Sequence, residues 1–82
     1  MPKKTSQKER ETLLALLKQI RSEAGLRQID LAKKLGQPQP FVSRYESGER
    51  RLEILEFRRV CRILAITPAE FFERLDEMLN EA

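Results

Sequence analysis

The sequence predicts an all-α protein with five helices, and three observations support this fold class. Apolar residues recur at the spacing of a helical stripe in five segments, and no segment shows the alternation of β-branched and aromatic residues typical of strands. Gly25, Gly36 and Gly48 each follow such a segment, where a left-handed residue commonly ends a helix. Eighty-two residues provide a single core, so we expect one compact domain.

The first helix is predicted to begin at Thr5 or Ser6, because Glu9 completes a capping-box pattern with Ser6. Its inward stripe consists of Leu13, Leu16, Leu17, Ile20 and Ala24. We therefore assign residues 6–82 to the domain and residues 1–5 to a basic N-terminus that is solvated or disordered. Contact of this N-terminus with phosphates is the alternative.

Two short helices follow the first. The second is predicted from about Gln28 to Leu35. Its inward residues are Leu31, Ala32 and Leu35. Proline fits the first turn of a helix, where amide hydrogens have no partner, so Pro38 and Pro40 mark the start of the third helix. The third helix extends to about Ser47.

The third helix divides into an apolar side and a polar side at about 100° per residue. The apolar side contains Phe41, Val42 and Tyr45. The polar side contains Gln39, Ser43, Arg44 and Ser47. One side therefore suits packing in a core, and the other suits contact with a polar macromolecule.

The last two helices follow a short charged linker. The fourth is predicted over about residues 53–64, and its inward residues are Ile54, Phe57, Val60, Cys61 and Leu64. Thr67, Pro68 and Glu70 form a capping box with proline in the first helical position. This pattern predicts a fifth helix over residues 68–80.

The fifth helix carries a broad apolar face made of Phe71, Phe72, Leu75, Met78 and Leu79. This face is larger than packing against one core requires, so we predict that it forms the interface of a homodimer. In that case Phe72 and Met78 are partly exposed in the monomer. The alternative is that Phe71 and Leu75 only complete the monomer core.

Charge is distributed unevenly along the chain, although the net charge is only +3. Residues 1–65 contain 15 Lys and Arg against 8 Asp and Glu, a balance of +7. Residues 66–82 contain 1 Arg against 5 Asp and Glu, a balance of −4. A polyanion is attracted to the first region and repelled by the second.

The composition argues against several other classes of protein. The chain has no histidine and one cysteine, which leaves neither a zinc-site pattern nor the commonest general base, so we expect no enzymatic activity, metal or cofactor. No apolar run approaches about 18 residues, and no signal-peptide core is present, so we expect no membrane association. An intramolecular disulfide is impossible, and we expect a cytoplasmic location.

A set of residues at fixed spacing runs from the second helix to the linker after the third: Gln28, Leu31, Ala32, Leu35-Gly36, Gln39, Val42-Ser43, Tyr45-Glu46 and Gly48-Glu49-Arg50. This set resembles the phage-repressor-like helix-turn-helix family of lambda repressor and Cro, and with the later helices the resemblance covers about residues 10–75. It implies a compact five-helix lambda-repressor-like DNA-binding domain with its helix-turn-helix unit at residues 27–48. In this family the third helix enters the major groove of double-stranded DNA.

The resemblance and the polar side of the third helix together indicate which residues contact DNA. The expected base contacts are Gln39, Pro40, Ser43 and Arg44. The expected phosphate contacts are Arg27, Gln28, Ser47, Arg50 and Arg51. Gln39 matches N6 and N7 of adenine, Arg44 matches O6 and N7 of guanine, and Pro40 suits a thymine methyl group. Glu46 is expected to be the partner in a structural ion pair.

Three positions depart from the family pattern. Arg27 replaces the usual threonine or serine cap of the second helix. Pro40 replaces a small polar residue at a base-contacting position. Ala65 replaces a glycine after the fourth helix, which costs about 1 kcal/mol if that site is left-handed.

We therefore expect a bacterial or phage transcriptional regulator that binds a palindromic operator as a homodimer. We expect it to repress transcription, because no activation or ligand-sensing domain is evident. One alternative is an antitoxin that binds its own operator and holds a toxin protein with the acidic, apolar fifth helix. Another is the controller protein of a restriction–modification system.

Overall fold

The computed structural model describes residues 3–80, which form five helices. The helices are α1 (Lys3–Glu23), α2 (Gln28–Leu35), α3 (Gln39–Ser47), α4 (Ile54–Ile63) and α5 (Pro68–Asn80). No residue in this range lies in a β-strand, so the predicted all-α class is confirmed. None of the described helices is long and apolar enough to cross a membrane.

All five helices contribute to one hydrophobic core. Its buried residues are Leu16, Leu17, Ile20, Leu31, Ala32, Val42, Tyr45, Val60, Cys61, Leu64, Phe71 and Leu75. Ala32 is completely buried, as expected where two helices cross closely and need a small side chain. Cys61 is buried as predicted, and this burial raises the pKa of its thiol to about 11.

Left-handed glycines end α1 and α2, as predicted. The φ angles are 73° at Gly25 and 69° at Gly36. After Gly36, the amide of Gln37 donates to the carbonyl of Ala32 at 3.0 Å. Such a bond satisfies a carbonyl that the end of a helix would otherwise leave without a partner.

Gly48 ends α3 with a φ of 86°, and it also lies against α1. A Cβ atom at this position would lie 3.0 Å from Cδ1 of Leu14, whereas one at Gly36 would meet nothing within 4 Å. In addition, Nη2 of Arg10 donates to the carbonyl of Gly48 at 2.7 Å. The end of α3 is therefore joined to α1 by close packing and by a charged hydrogen bond.

The predicted capping box at the start of α5 is present. The amide of Glu70 donates to Oγ1 of Thr67 at 3.0 Å, and the amide of Thr67 donates to Oε1 of Glu70 at 2.9 Å. The hydrogen bond from the Thr67 amide to the Glu70 carboxylate lowers the pKa of Glu70. At the start of α4, the amide of Glu53 donates to Oε1 of Glu56 at 2.9 Å in a similar arrangement.

The N-terminal end of α1 differs from the sequence prediction. The helix begins at Lys3, so Thr5 and Ser6 lie within its first turns and do not cap it. Lysine and glutamine are good helix formers, and no residue before Ser6 in the described chain interrupts the helix. Of the predicted basic N-terminus, residues 1–2 lie outside the described residues.

Two residues predicted to face the core are exposed. Ala24 is exposed because α1 already ends at Glu23. Ile54 is 78% exposed, because it is the first residue of α4 and precedes the part of that helix that reaches the core at Val60. Its inward assignment is therefore wrong.

The apolar face of α5 is divided between the core and solvent. Phe71 and Leu75 are buried in the monomer core, and their role in a dimer interface stays a prediction. Phe72 is 49% exposed, while Met78 and Leu79 are half-buried. The prediction that Phe72 and Met78 are partly exposed is confirmed.

Ala65, between α4 and α5, is the one described residue other than glycine with a positive φ, at 58°. Its amide donates to the carbonyl of Arg62 at 3.2 Å, and the next amide, of Ile66, donates to the carbonyl of Cys61 at 3.0 Å. The helix therefore ends in the way a glycine would end it, with a methyl group in a strained backbone conformation.

Candidate nucleic-acid interface

The predicted DNA-contacting residues lie on three adjacent segments, which we call the recognition surface. It consists of Gln39, Pro40, Ser43, Arg44 and Ser47 on α3, Arg27 and Gln28 at the start of α2, and Arg50 and Arg51 in the linker after α3. The opposite side of α3 is buried through Val42 and Tyr45, as predicted. The fold therefore leaves the polar side of this helix open to a ligand.

Glu46 supports the recognition surface from the interior, and it is the one charged residue buried among those described, at 1% exposure. Its carboxylate accepts hydrogen bonds from Nε of Arg21 at 2.7 Å and from Nη2 of Arg21 at 3.1 Å. These bonds raise the pKa of Arg21, against the opposing effect of burial. Nη1 of Arg21 donates to the carbonyl of Leu26 at 2.9 Å. The predicted role of Glu46 in an ion pair is confirmed, and the pair joins α3 to the end of α1.

Gln28 and Gln39 extend this network to the recognition surface. Nε2 of Gln28 donates to Oε1 of Glu46 at 3.0 Å, and Oε1 of Gln28 accepts from Nε2 of Gln39 at 2.9 Å. Within the described structure, Gln39 retains its Oε1 acceptor and one Nε2 hydrogen for a ligand. A free acceptor beside a free donor is the arrangement that pairs with N6 and N7 of adenine.

Arg27 occupies the N-cap position of α2, where its side chain has no atom that can accept an amide hydrogen. Asp30 compensates in part, because its Oδ2 accepts from the amide of Arg27 at 2.9 Å and from Nε of Arg27 at 2.9 Å. The hydrogen bonds from Arg27 lower the pKa of Asp30 to about 2. The Arg27 side chain remains 79% exposed, so its charge is still presented to solvent.

Arg50 is held in place by two interactions. Its Nη1 and Nη2 atoms donate to the two carboxylate oxygens of Glu56, each at 2.9 Å. Its Cζ atom lies 4.6 Å from the centroid of the Phe41 ring, a cation–π contact. The hydrogen bonds from Arg50 also lower the pKa of Glu56. The Arg50 charge is therefore oriented and partly neutralised within the chain.

The remaining side chains of the surface are less constrained. Nε of Arg44 lies 3.9 Å from a carboxylate oxygen of Glu49, and the Arg44 side chain is 59% exposed. Arg51 is exposed and forms no ion pair with any described residue. The hydroxyls of Ser43 and Ser47 donate to carbonyls of the preceding turn, at 3.3 Å and 3.1 Å.

The first turn of α3 offers few backbone donors. Pro38 is the N-cap and Pro40 the second helical residue, and neither has an amide hydrogen. The amide of Phe41 donates to the carbonyl of Pro38 at 2.9 Å. Among the described residues, Gln39 has the one amide of this turn without a partner, so this helix start contacts an anion mainly through side chains.

Three residues that the sequence did not predict to be functional hold the recognition surface from behind: Arg10, Arg21 and Glu56. The available signal for Arg21 was its place directly after Ile20, at the edge of the inward stripe of α1. No comparable signal existed for Arg10, whose bond to Gly48 spans 38 residues of sequence. The recognition surface as a whole presents arginines, which suit phosphates. It also presents amide and hydroxyl groups, which suit base edges.

Comparisons with known proteins agree with this geometry. The helix-turn-helix family model HTH_3 matches residues 17–71, a range that contains the whole recognition surface and the Arg21–Glu46 ion pair behind it. The chain is similar to a solved structure described as an XRE-family like protein from Pseudomonas syringae pv. tomato str. DC3000. The two are 41% identical over 93% of each chain, with a TM-score of 0.83. No curated protein matches the chain.

Proposed function

The chain belongs to the HTH_3 helix-turn-helix family of DNA-binding transcription regulators, and we propose that it is a sequence-specific repressor. It binds a palindromic operator in double-stranded DNA as a homodimer, with α3 in the major groove. Regulators of this family generally act by binding DNA and not by catalysis, and the polar groups of the recognition surface suit DNA binding.

The observation that carries this proposal is the hydrogen-bonded series from Arg21 through Glu46 and Gln28 to Gln39. A buried polar network is unfavourable unless its members are satisfied, and when satisfied it holds its side chains in fixed positions. A side chain that is already ordered loses less conformational freedom when it binds. The Gln39 amide, fixed at the surface with one acceptor and one donor available, therefore suits the reading of an adenine.

The other residues of the recognition surface divide by chemistry around Gln39. The further base contacts are Pro40 to a thymine methyl group, Ser43 to a base edge and Arg44 to O6 and N7 of guanine. The phosphate contacts are Arg27, Gln28, Ser47, Arg50 and Arg51. Arg27 and Arg50 would share their charges with Asp30 and Glu56, which leaves Arg51 as the stronger electrostatic contact.

The proposal of a dimer follows from the small size of α3, the helix that contacts the bases. An α3 of 9 residues contacts only a few base pairs, and genomic selectivity requires a larger site. Two copies related by a two-fold axis place their α3 helices about 34–36 Å apart, on successive major grooves of a palindrome. Repression then requires only that the dimer occupy the operator, because a bound protein excludes the polymerase.

The test is selection of bound duplexes from a random pool, followed by affinity measurements at several salt concentrations. Arg44→Ala should lose about 1–3 kcal/mol of discrimination at one base position. Arg51→Ala removes the same charge from a phosphate-contacting position, so it should weaken binding to all sequences and lower the salt slope by about 1. Absence of affinity for duplex DNA at low salt, or equal affinity for all duplexes, would overturn the proposal.

A further inference from the structure

Helices α4 and α5 present exposed faces of opposite charge next to an exposed apolar patch. On α4 the face carries Arg58, Arg59 and Arg62. On α5 it carries Glu73, Asp76 and Glu77. With the apolar residues Ile54, Leu55 and Phe72, these side chains form what we call the α4–α5 surface.

The charged and apolar residues form one continuous stripe on each helix. At about 100° per residue, an arc of about 140° on α4 contains Ile54, Leu55, Arg58, Arg59 and Arg62. An arc of the same width on α5 contains Phe72, Glu73, Asp76 and Glu77. In both helices the apolar residue stands at the N-terminal end of the stripe and the charges follow.

The charges of this surface are not paired within the described chain. Other charged residues of the same helices are paired, since Glu56 binds Arg50 and Arg74 binds Glu23, each at 2.9 Å. No described ion pair involves the three arginines or the three acids of the surface. Moreover, each stripe places like charges four residues apart, which is unfavourable in an isolated helix and is relieved by an opposite charge.

The apolar part of the surface is also incomplete. Ile54 is 78% exposed, Leu55 is 58% exposed and Phe72 is 49% exposed. The Phe72 ring lies 5.6 Å from that of Phe57, so α4 and α5 meet at this patch. A groove of about 600 Å³ opens beside it, lined among others by Leu13, Leu52, Phe57 and Phe72. Projecting apolar side chains and an apolar groove therefore occur side by side.

We propose that the α4–α5 surface binds the same surface of a second copy of the chain, with α4 of each copy against α5 of the other. A two-fold interface must be complementary to itself, and a surface with separate positive and negative stripes and an apolar centre meets this condition. In this arrangement the arginines of each protomer face the acids of its partner, so the charged contact is formed twice in the dimer. The inference rests on the proposed homodimer and names the surface that forms it.

The test uses two charge-reversed variants of the full chain, measured by sedimentation equilibrium without DNA. The first variant is Arg58→Glu/Arg59→Glu/Arg62→Glu, and the second is Glu73→Lys/Asp76→Lys/Glu77→Lys. Each variant alone should dimerise at least about a hundredfold more weakly than the native chain, because like charges then face each other. An equimolar mixture of the two should form a heterodimer, because both charged contacts are restored.

All six positions are exposed, so both variants should keep the native circular dichroism spectrum and a cooperative melt. If either fails to fold, the neutral versions with Gln and Asn replace it, and each should still weaken the dimer. Phe72→Asp provides an independent test of the apolar centre and should also give monomers. A native chain that is monomeric at millimolar concentration, or variants that dimerise like the native chain, would overturn the inference.

The same variants distinguish this inference from the proposed function. The recognition surface is unchanged in the acid variant and in Phe72→Asp, so monomers of both should still bind duplex DNA at low salt, with loss of cooperative binding to a palindrome. If the arginine variant dimerises normally, the interface lies elsewhere, whatever its DNA affinity, because reversal of three charges by itself weakens the attraction to DNA. Loss of DNA binding by the native chain would instead concern the proposed function.

Discussion

The recognition surface and the α4–α5 surface differ in how their charges are arranged. At the recognition surface, Arg27 and Arg50 each have a carboxylate partner within the chain, and Gln39 is held through Gln28. At the α4–α5 surface, charges of both signs lie in separate stripes without described partners, beside apolar side chains that are 49% to 78% exposed. One surface is ordered by contacts within the chain, whereas the charges of the other form no described ion pair.

This difference indicates two ways in which a small domain prepares to bind. The first surface suits a ligand whose features are fixed, such as a base edge, because its side chains are in place before contact. The second suits a ligand that brings the missing opposite charges, such as a second copy. Four predictions test the support behind each surface, in order of decreasing effect.

The largest effect is expected for Glu46→Gln, which removes the buried charge behind the recognition surface. Arg21 then loses its partner in a site where Glu46 is 1% exposed, so the free energy of unfolding should fall by about 3 kcal/mol. Urea denaturation measures this loss. Glu49→Gln is the matched control, because its 70% exposed side chain is 3.9 Å from Arg44, and it should change stability by less than about 0.5 kcal/mol. Equal effects of the two would show that the network does not stabilise α3.

The second prediction concerns the packing of α3 against α1. Gly48→Ala introduces a Cβ atom 3.0 Å from Leu14 at a left-handed position and should cost about 2–3 kcal/mol. Gly36→Ala has a similar φ and open space around it, so it should cost only about 1 kcal/mol. The difference between the two midpoints in urea isolates the contact with Leu14. If the two variants are equally stable, Leu14 on α1 moves aside without loss of stability.

The third prediction concerns the corner between α4 and α5. Ala65→Gly relieves the strain at a φ of 58° and should raise the free energy of unfolding by up to about 1 kcal/mol. Ala15→Gly is a matched control within α1, where the same change should lower stability by about 1 kcal/mol. Thermal denaturation should therefore show shifts of opposite sign. A lower melting midpoint for Ala65→Gly than for the native chain would show that the backbone at Ala65 is not strained.

The smallest effects are expected in acid. The pKa of Asp30 lies at about 2 because of its hydrogen bonds from Arg27, below the value of about 3.9 in an unfolded chain. A lowered pKa contributes stability above the unfolded value, and this contribution is lost as the pH falls from about 4 towards 2. Asp30→Asn should therefore show a smaller decrease in stability over this range. The pKa of Glu23 is lowered to about 2 by its hydrogen bonds from Arg74, so Glu23→Gln should likewise show a smaller decrease in stability over this pH range.

Features governed by nearby residues could be predicted from the sequence. The stops at Gly25 and Gly36 and the capping box of Thr67 and Glu70 depend on hydrogen bonds within a few residues, and all are present. The two sides of α3 also follow from helical spacing alone. The sequence therefore predicted which residues form the helices and which side of α3 is exposed.

Features that depend on distant partners could not be predicted. Arg21 and Glu46 are 25 residues apart, and helical spacing does not show that α1 and α3 meet there. The spacing also assigned Ile54 to the core, because a periodic pattern does not show where a neighbouring helix ends.

The buried thiol of Cys61 has a practical consequence for measurements on this protein. The thiolate is the reactive form, so a thiol with a raised pKa in the core reacts with an alkylating reagent only after α4 has separated from its neighbours. The rate of alkylation in native buffer therefore reports the population of opened molecules. A ligand that binds the folded chain lowers this population by mass action, so the native cysteine can detect binding without any added label.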